Sequence, residues 1–300
     1  MKTNPAGYYF CACVYFELFL QLANRKLMKS SLNRQDFIVA VFHSLAFYAI
    51  AYLLIWFLTG LTTVIIANSL DIPTIWRYFR IDFMIPQSQW NHDLVKITFS
   101  GGPIASLFFG ILCLIAYYNV MNLNGILKML FLWGFIHGWT GFFGSLFIGT
   151  LTSTGFGHVV IWLYLNDTAR LTTNLFSLLL LFFGGFIIAR PVLISANYYL
   201  NNLPETSRTS FLAAQMILPA LIGMGTFVAL RAPASLEDQL LPFTGLLMIL
   251  PVFMRRHHFS IIYFDDDEIE VRPEWIYIII AALMIAAYRI IFEFGIRSGF

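Results

Sequence analysis

Residues 129–166 read MLFLWGFIHGWTGFFGSLFIGTLTSTGFGHVVIWLYLN, 38 positions without one Asp, Glu, Lys or Arg. A single crossing of a hydrocarbon layer about 30 Å thick takes about 20 residues. The run therefore holds one full crossing and a second apolar piece. Gly134, Gly138, Gly141, Gly144, Gly149, Gly155 and Gly157 lie in it, together with His137 and His158. Glycine lets helix backbones approach closely in lipid, and ionisable groups at that depth face protein or water. A working centre is expected here first.

The rest of the chain has the same character. It is 59% hydrophobic, 17% aromatic and only 11% charged over 300 residues, against about 25% charged in soluble domains. The charges cluster, leaving uncharged runs at 37–70, 97–127, 171–189, 209–230 and 239–254, and a last apolar stretch at 275–295 that carries Arg289 and Glu293. Runs of this length exceed a transmembrane strand of about 9–11 residues. The sequence predicts an all-α polytopic membrane protein with about seven transmembrane helices. The lipid bilayer is then its first partner. A net charge of +2 makes no case for nucleic acid.

The order of charges suggests two regions. Residues 1–35 comprise the short apolar segment Tyr8–Ala23, interrupted by Glu17, and the basic cluster Arg25, Lys26, Lys29 and Arg34. The segment reads as an interfacial helix, with a short extra membrane helix as the alternative. The basic cluster puts this end in the cytoplasm, and a bacterial cytoplasmic (inner) membrane is the expected location. Residues 36–300 form one helical membrane domain with a mixed-charge outer loop at 68–96. Its other long polar stretch, cytoplasmic loop 255–274, has two β-like runs around Asp265-Asp266-Asp267-Glu268 and predicts a small hairpin. The fourth helix is expected to start at Asn166-Asp167-Thr168 and to close at Arg190-Pro191. Cys11, Cys13 and Cys113 are odd in number and lack zinc-ribbon spacing, so they read as inert thiols.

Two kinds of site pattern stand out. Gly134, Gly138, Gly141, Ser145 and Gly149 share one helix face, as do Gly102, Ser106 and Gly110, and small-residue stripes of this kind predict close packing of the two helices. His43, His137 and His158 fall on separate apolar elements. Three histidines can hold a zinc ion with an open position, and two can ligate a haem, although no local spacing supports either. Gly155, Gly157 and His158 mark a break in the apolar run and are the candidate binding-site residues.

The stretch Phe99-Ser100-Gly101-Gly102-Pro103-Ile104-Ala105-Ser106-Leu107, opening a helix, resembles the corresponding helix start of the site-2 protease family of intramembrane metalloproteases. The likeness covers about residues 37–150. It implies a preceding helix with HExxH, but His43-Ser44-Leu45-Ala46-Phe47 keeps only the first histidine. It also implies a later aspartate ligand, and the Gly134–Gly144 stretch has none. Without a carboxylate to activate a zinc-bound water, proteolysis is not available. The expected function is thus a non-proteolytic membrane protein on a degenerate core of this type, serving as a binding or scaffold subunit for a membrane or membrane-associated protein. A small-solute transporter with its site near residues 134–158 is the alternative, and a histidine-based zinc or haem membrane enzyme is the third.

Overall fold

The structure, a computed structural model, describes residues 34–123, 125–259, 262–264 and 271–299. The expected N-terminal helix Tyr8–Ala23, most of the basic cluster, Cys11, Cys13 and the acidic turn 265–268 lie outside the described residues. Among those described, seven helices are long and apolar enough to cross a membrane. They are α1 (Arg34–Ser69), α2 (His92–Val120), α3 (Lys128–Thr152), α5 (Asp167–Tyr198), α6 (Glu205–Arg231), α7 (Leu236–Met254) and α8 (Trp275–Phe292). The short α4 (Gly157–Trp162) follows α3.

Small strands fix the ends of the bundle. β1 (Thr74–Trp76) and β2 (Ile81–Phe83) follow α1, and β5 (Ile296–Ser298) follows α8. They form one antiparallel sheet in the order β2-β1-β5, so α1 and α8 finish at the same end. Loop 68–96 is thus built around a hairpin, with Asp82 holding Arg80 at 2.6 Å. At the opposite end β3 (Asn202–Leu203) pairs with β4 (Ile262–Tyr263). The first of the two β-like runs expected within 255–274 pairs with the α5–α6 connection, and the turn and most of the second run of the expected hairpin lie outside the described residues. Arg208 explains why the two segments meet. Its buried guanidinium donates through Nη1 to the Arg256 and Phe259 carbonyls, 2.8 Å each.

Local chemistry sets the helix limits. Asn91 caps α2 by accepting from Asp93 N and Leu94 N at 3.1 and 2.9 Å, and Asn166 caps α5 by accepting from Ala169 N at 2.8 Å. The expected stop at Arg190-Pro191 is overturned, since α-helix continues through Pro191 to Ile194. Pro191, Val192 and Leu193 are buried, and the Tyr117 hydroxyl donates to the Pro191 carbonyl at 2.6 Å. Packing offsets the one backbone bond that proline removes. Pro219 in α6 shows the same compensation more directly. Its missing N–H frees the Gln215 carbonyl, which accepts from Ser44 Oγ of α1 at 2.6 Å. Ser44 Oγ in turn accepts from Trp133 Nε1 of α3 at 2.9 Å.

Helices α2 and α3 meet along their small residues. Ser106 Oγ donates to the Gly138 carbonyl at 3.0 Å, and a Cβ on Gly110 would lie 2.9 Å from Gly138 Cα. The stripes do not serve one contact only. Gly134 faces Cys113 of α2 within this contact, but Gly102 faces Thr59 and Thr63 of α1, and Gly149 abuts the backbone of Gly157. Helix α3 is continuous to Thr152 with one π turn at Thr140–Gly144. The glycine-broken region expected at 134–158 therefore narrows to 153–156.

Candidate functional site

A cavity of about 310 Å³ lies at the loop end of the bundle, between α1, α2, α3 and the α6–α7 turn. Five polar groups of α1 lead toward it or line it. Ser44, Tyr48, Tyr52, Thr59 and Thr63 recur at steps of 4, 4, 7 and 4, which is one face of a helix. Tyr52, Thr59 and Thr63 line the cavity, with Thr98, Pro103 and Ser106 from α2 and His137, Thr140, Gly141 and Ser145 from α3. Trp76 and Phe83 of the small sheet cover it from the loop end, joined by Arg77 and Arg80.

His137 is the α3 lining residue farthest from the loop end. It precedes Thr152 by 15 residues, about 22 Å at ~1.5 Å per residue. Its ring packs edge-on against Tyr48 and Tyr52, at centroid distances of 4.5 and 5.4 Å, and lies parallel to Trp133 at 5.8 Å. Tyr48 and Trp133 are buried and close the floor beneath it.

The mouth is charged and internally balanced. Arg231, at the end of α6, meets Asp238, in the first turn of α7, at 2.6 Å. The same guanidinium reaches the Tyr52 hydroxyl and the Phe79 carbonyl, each at 3.3 Å, so it ties α6 to α1 and to loop 68–96. Its Nε is buried without a hydrogen-bond partner, as is Thr98 Oγ1 on the opposite wall. Glu237 sits beside Gly155, whose φ is +50° and whose absent Cβ leaves the space that the Glu237 carboxylate occupies. A side chain at 155 would meet both a steric block and an unfavourable backbone region.

The three histidines predicted as metal ligands lie in separate surroundings. His43 is near the opposite end of α1, where its Nε2 accepts from Glu274 N at 2.8 Å and its Nδ1 meets the Tyr199 hydroxyl at 3.3 Å. His137 lines the cavity. His158 packs on Phe99 at 5.1 Å, beside the cavity and not among its lining residues. Among the described residues no three His, Cys, Asp or Glu side chains gather where they could hold a metal. Of the predicted binding-site residues Gly155 alone lines the cavity, while Gly157 packs against Gly149.

No family model, curated protein or solved structure matches this chain. The cavity must be read from its own chemistry.

Partial burial against Phe99 holds the His158 imidazole below the ordinary histidine range. The folded protein then binds fewer protons here than the unfolded chain, so this contribution is complete above the ordinary pKa of about 6.5 and is lost as pH falls toward the lowered folded value. Substitution of His158→Gln is expected to give a shallower fall in melting temperature between about pH 7 and 5. An unchanged slope would remove His158 from the acid response.

Proposed function

We propose that the chain is an integral membrane protein, of a bacterial inner membrane, that binds a small, largely apolar molecule without chemically changing it. One observation carries this reading: a blind cavity bounded by three apolar helices, with a charged mouth at the loop end and a closed floor near mid-helix. Sites of this kind bury apolar ligands against apolar walls and orient them with a few polar groups. It differs from the binding or scaffold subunit expected from the sequence in the partner, a small molecule in place of a membrane or membrane-associated protein.

The degenerate site-2-protease-like core of the sequence reading gains little support here. Gly101 and Gly102 face Ile66, Thr59 and Thr63. His43 lies 16 residues before Thr59 on the same helix, about 24 Å away. This separation does not favour a shared centre for the two parts of the resemblance. A second reading, passage of the molecule across the bundle, is favoured by the π turns Thr140–Gly144 and Ala213–Ile217 in α3 and α6. Such turns are points where a helix can bend, and they recur at functional sites. Uptake of a bound molecule into sealed proteoliposomes would separate passage from binding.

The test of binding itself is mass spectrometry of the intact protein taken from its own membranes into lipid nanodiscs. A small molecule of constant mass should accompany the protein. Filling the cavity by Thr59→Trp should lower its occupancy at least tenfold, a change of about 1.4 kcal/mol or more. Equal occupancy in both proteins, or none in the wild type, would overturn the reading.

A further inference from the structure

We infer that the seam between α5 and α7, at the end where Arg190 and Arg255 lie, binds the head group of an anionic phospholipid. The inference rests on the membrane location given above and not on the cavity. The run 171–189 of α5 carries no charge. It is about 28 Å long at ~1.5 Å per residue, close to the ~30 Å of a hydrocarbon layer. Arg190 is the first charge beyond it, and Arg255 is the first beyond the uncharged run 239–254 of α7. Both arginines therefore stand at the level of the lipid phosphates. Packing brings them to one spot. Gly185 lets α5 and α7 approach closely, since a Cβ there would lie 3.0 Å from Pro251 Cγ. Arg255, the residue that ends α7, reaches across this seam. Its guanidinium carbon lies 5.9 Å from the centre of the Phe186 ring of α5 and 5.5 Å from that of Phe259. Arg190 follows Phe186 by four residues, so it stands one turn on along the same face of α5.

What these two side chains lack points to the partner. Arg80 has Asp82, Arg170 has Asp167, Arg231 has Asp238 and Arg289 has Glu293. Among the described residues, the guanidiniums of Arg190 and Arg255 have neither an ion pair nor a hydrogen bond. Contact with two ring faces steadies Arg255 while its N–H groups stay available. Arginine forks suit phosphate, whose oxygens accept paired N–H bonds. Phe183 of α5 and Leu250 of α7, each half or more exposed, continue the surface toward the middle of the span. Acyl chains can lie along it while the head group stays at the arginines. A soluble phosphate would gain only the charge contacts, so the lipid is the occupant that uses the whole surface.

The test is titration of phosphatidylglycerol and, separately, phosphatidylcholine with the same acyl chains into the full chain in dodecyl maltoside. Native mass spectrometry follows the first bound lipid. Phosphatidylglycerol should bind about tenfold more tightly. Arg190→Gln with Arg255→Gln should bring the two lipids within about twofold. Arg170→Gln with Arg297→Gln, the same loss of charge at the opposite end of the bundle, should keep the preference. The melting temperature of the wild type should rise with phosphatidylglycerol and not with inorganic phosphate at the same concentration, a readout that holds even if a variant folds poorly. Equal binding of the two lipids by the wild type, or a preference that survives Arg190→Gln with Arg255→Gln, overturns the inference. Loss of the preference in both double variants also overturns it, by reducing it to net charge. Equal protection by inorganic phosphate overturns the lipid as occupant and assigns a soluble anion. None of these results bears on the cavity, which the Thr59→Trp comparison decides.

Discussion

Gly138→Leu is expected to eliminate the folded protein. The Cβ it introduces would fall onto backbone atoms, Gly110 Cα and N and Ser106 O, none of which can swing aside as a side chain can. Helices α2 and α3 would have to separate, breaking the Ser106 to Gly138 hydrogen bond and the contacts of Gly134 and Gly141 on the same face. Overpacking in a well-packed core commonly costs 1–3 kcal/mol. A contact of backbone on backbone between two long helices belongs at or above the top of that range, more than about 3 kcal/mol. Size-exclusion chromatography in mild detergent should show loss of the monodisperse peak. Gly225→Ala is the matched control, because its added methyl meets nothing within 4 Å and should leave the peak intact. A Gly138→Leu protein that melts with the wild type would refute the close α2–α3 contact.

The second large effect is expected at Arg231. Its guanidinium side is nearly inaccessible, at 8% exposure, while the Asp238 side chain retains 27%. Removing one partner of a buried pair typically costs 3–5 kcal/mol, because the other charge is left without compensation. The residual exposure of Asp238 moderates this, and Arg231→Met should cost about 3 kcal/mol. Asp238→Asn should cost less, since the Tyr52 hydroxyl and the Phe79 carbonyl still receive the guanidinium. The double variant Arg231→Met with Asp238→Asn should recover part of the loss, giving a favourable coupling between the two positions in a double-mutant cycle. Denaturant titration in nanodiscs measures the wild type and all three variants. Wild-type stability in Arg231→Met would show that the pair is only a surface contact.

The helices were legible in the sequence because charge is expensive in their interiors, so uncharged runs such as 171–189 and 209–230 mark them directly. Their ends were less legible. Pro191 carries a stop signal, yet burial among packed helices and the Tyr117 hydroxyl keep the helix going. The partner of Ile262–Tyr263 could not be read either, since pairing with Asn202–Leu203 depends on Arg208 bridging loops 50 residues apart. The cavity was half visible. His137, Gly141, Ser145 and Gly155 fall within the uncharged run that attracted notice, but the facing wall did not. Its signal was present as the hydroxyl-bearing face of α1, Ser44, Tyr48, Tyr52, Thr59 and Thr63, spaced like a helix stripe within an otherwise apolar run. Arg231, Glu237 and Asp238 look like ordinary charges at helix ends until the α6–α7 turn brings them over the cavity.

The small sheet imposes an order of assembly. β1 is the middle strand, and its second neighbour, Ile296–Ser298, is more than 200 residues away in the chain. During synthesis the first helix and its hairpin emerge early, but Trp76 gains the support of Phe292, at 4.7 Å, only after the seventh long helix is in place. The roof over the cavity is therefore the last part of the molecule to be finished. A nascent chain halted before α8 has most of its cavity walls without that support, so ligand retention by such intermediates would report when synthesis makes the protein competent.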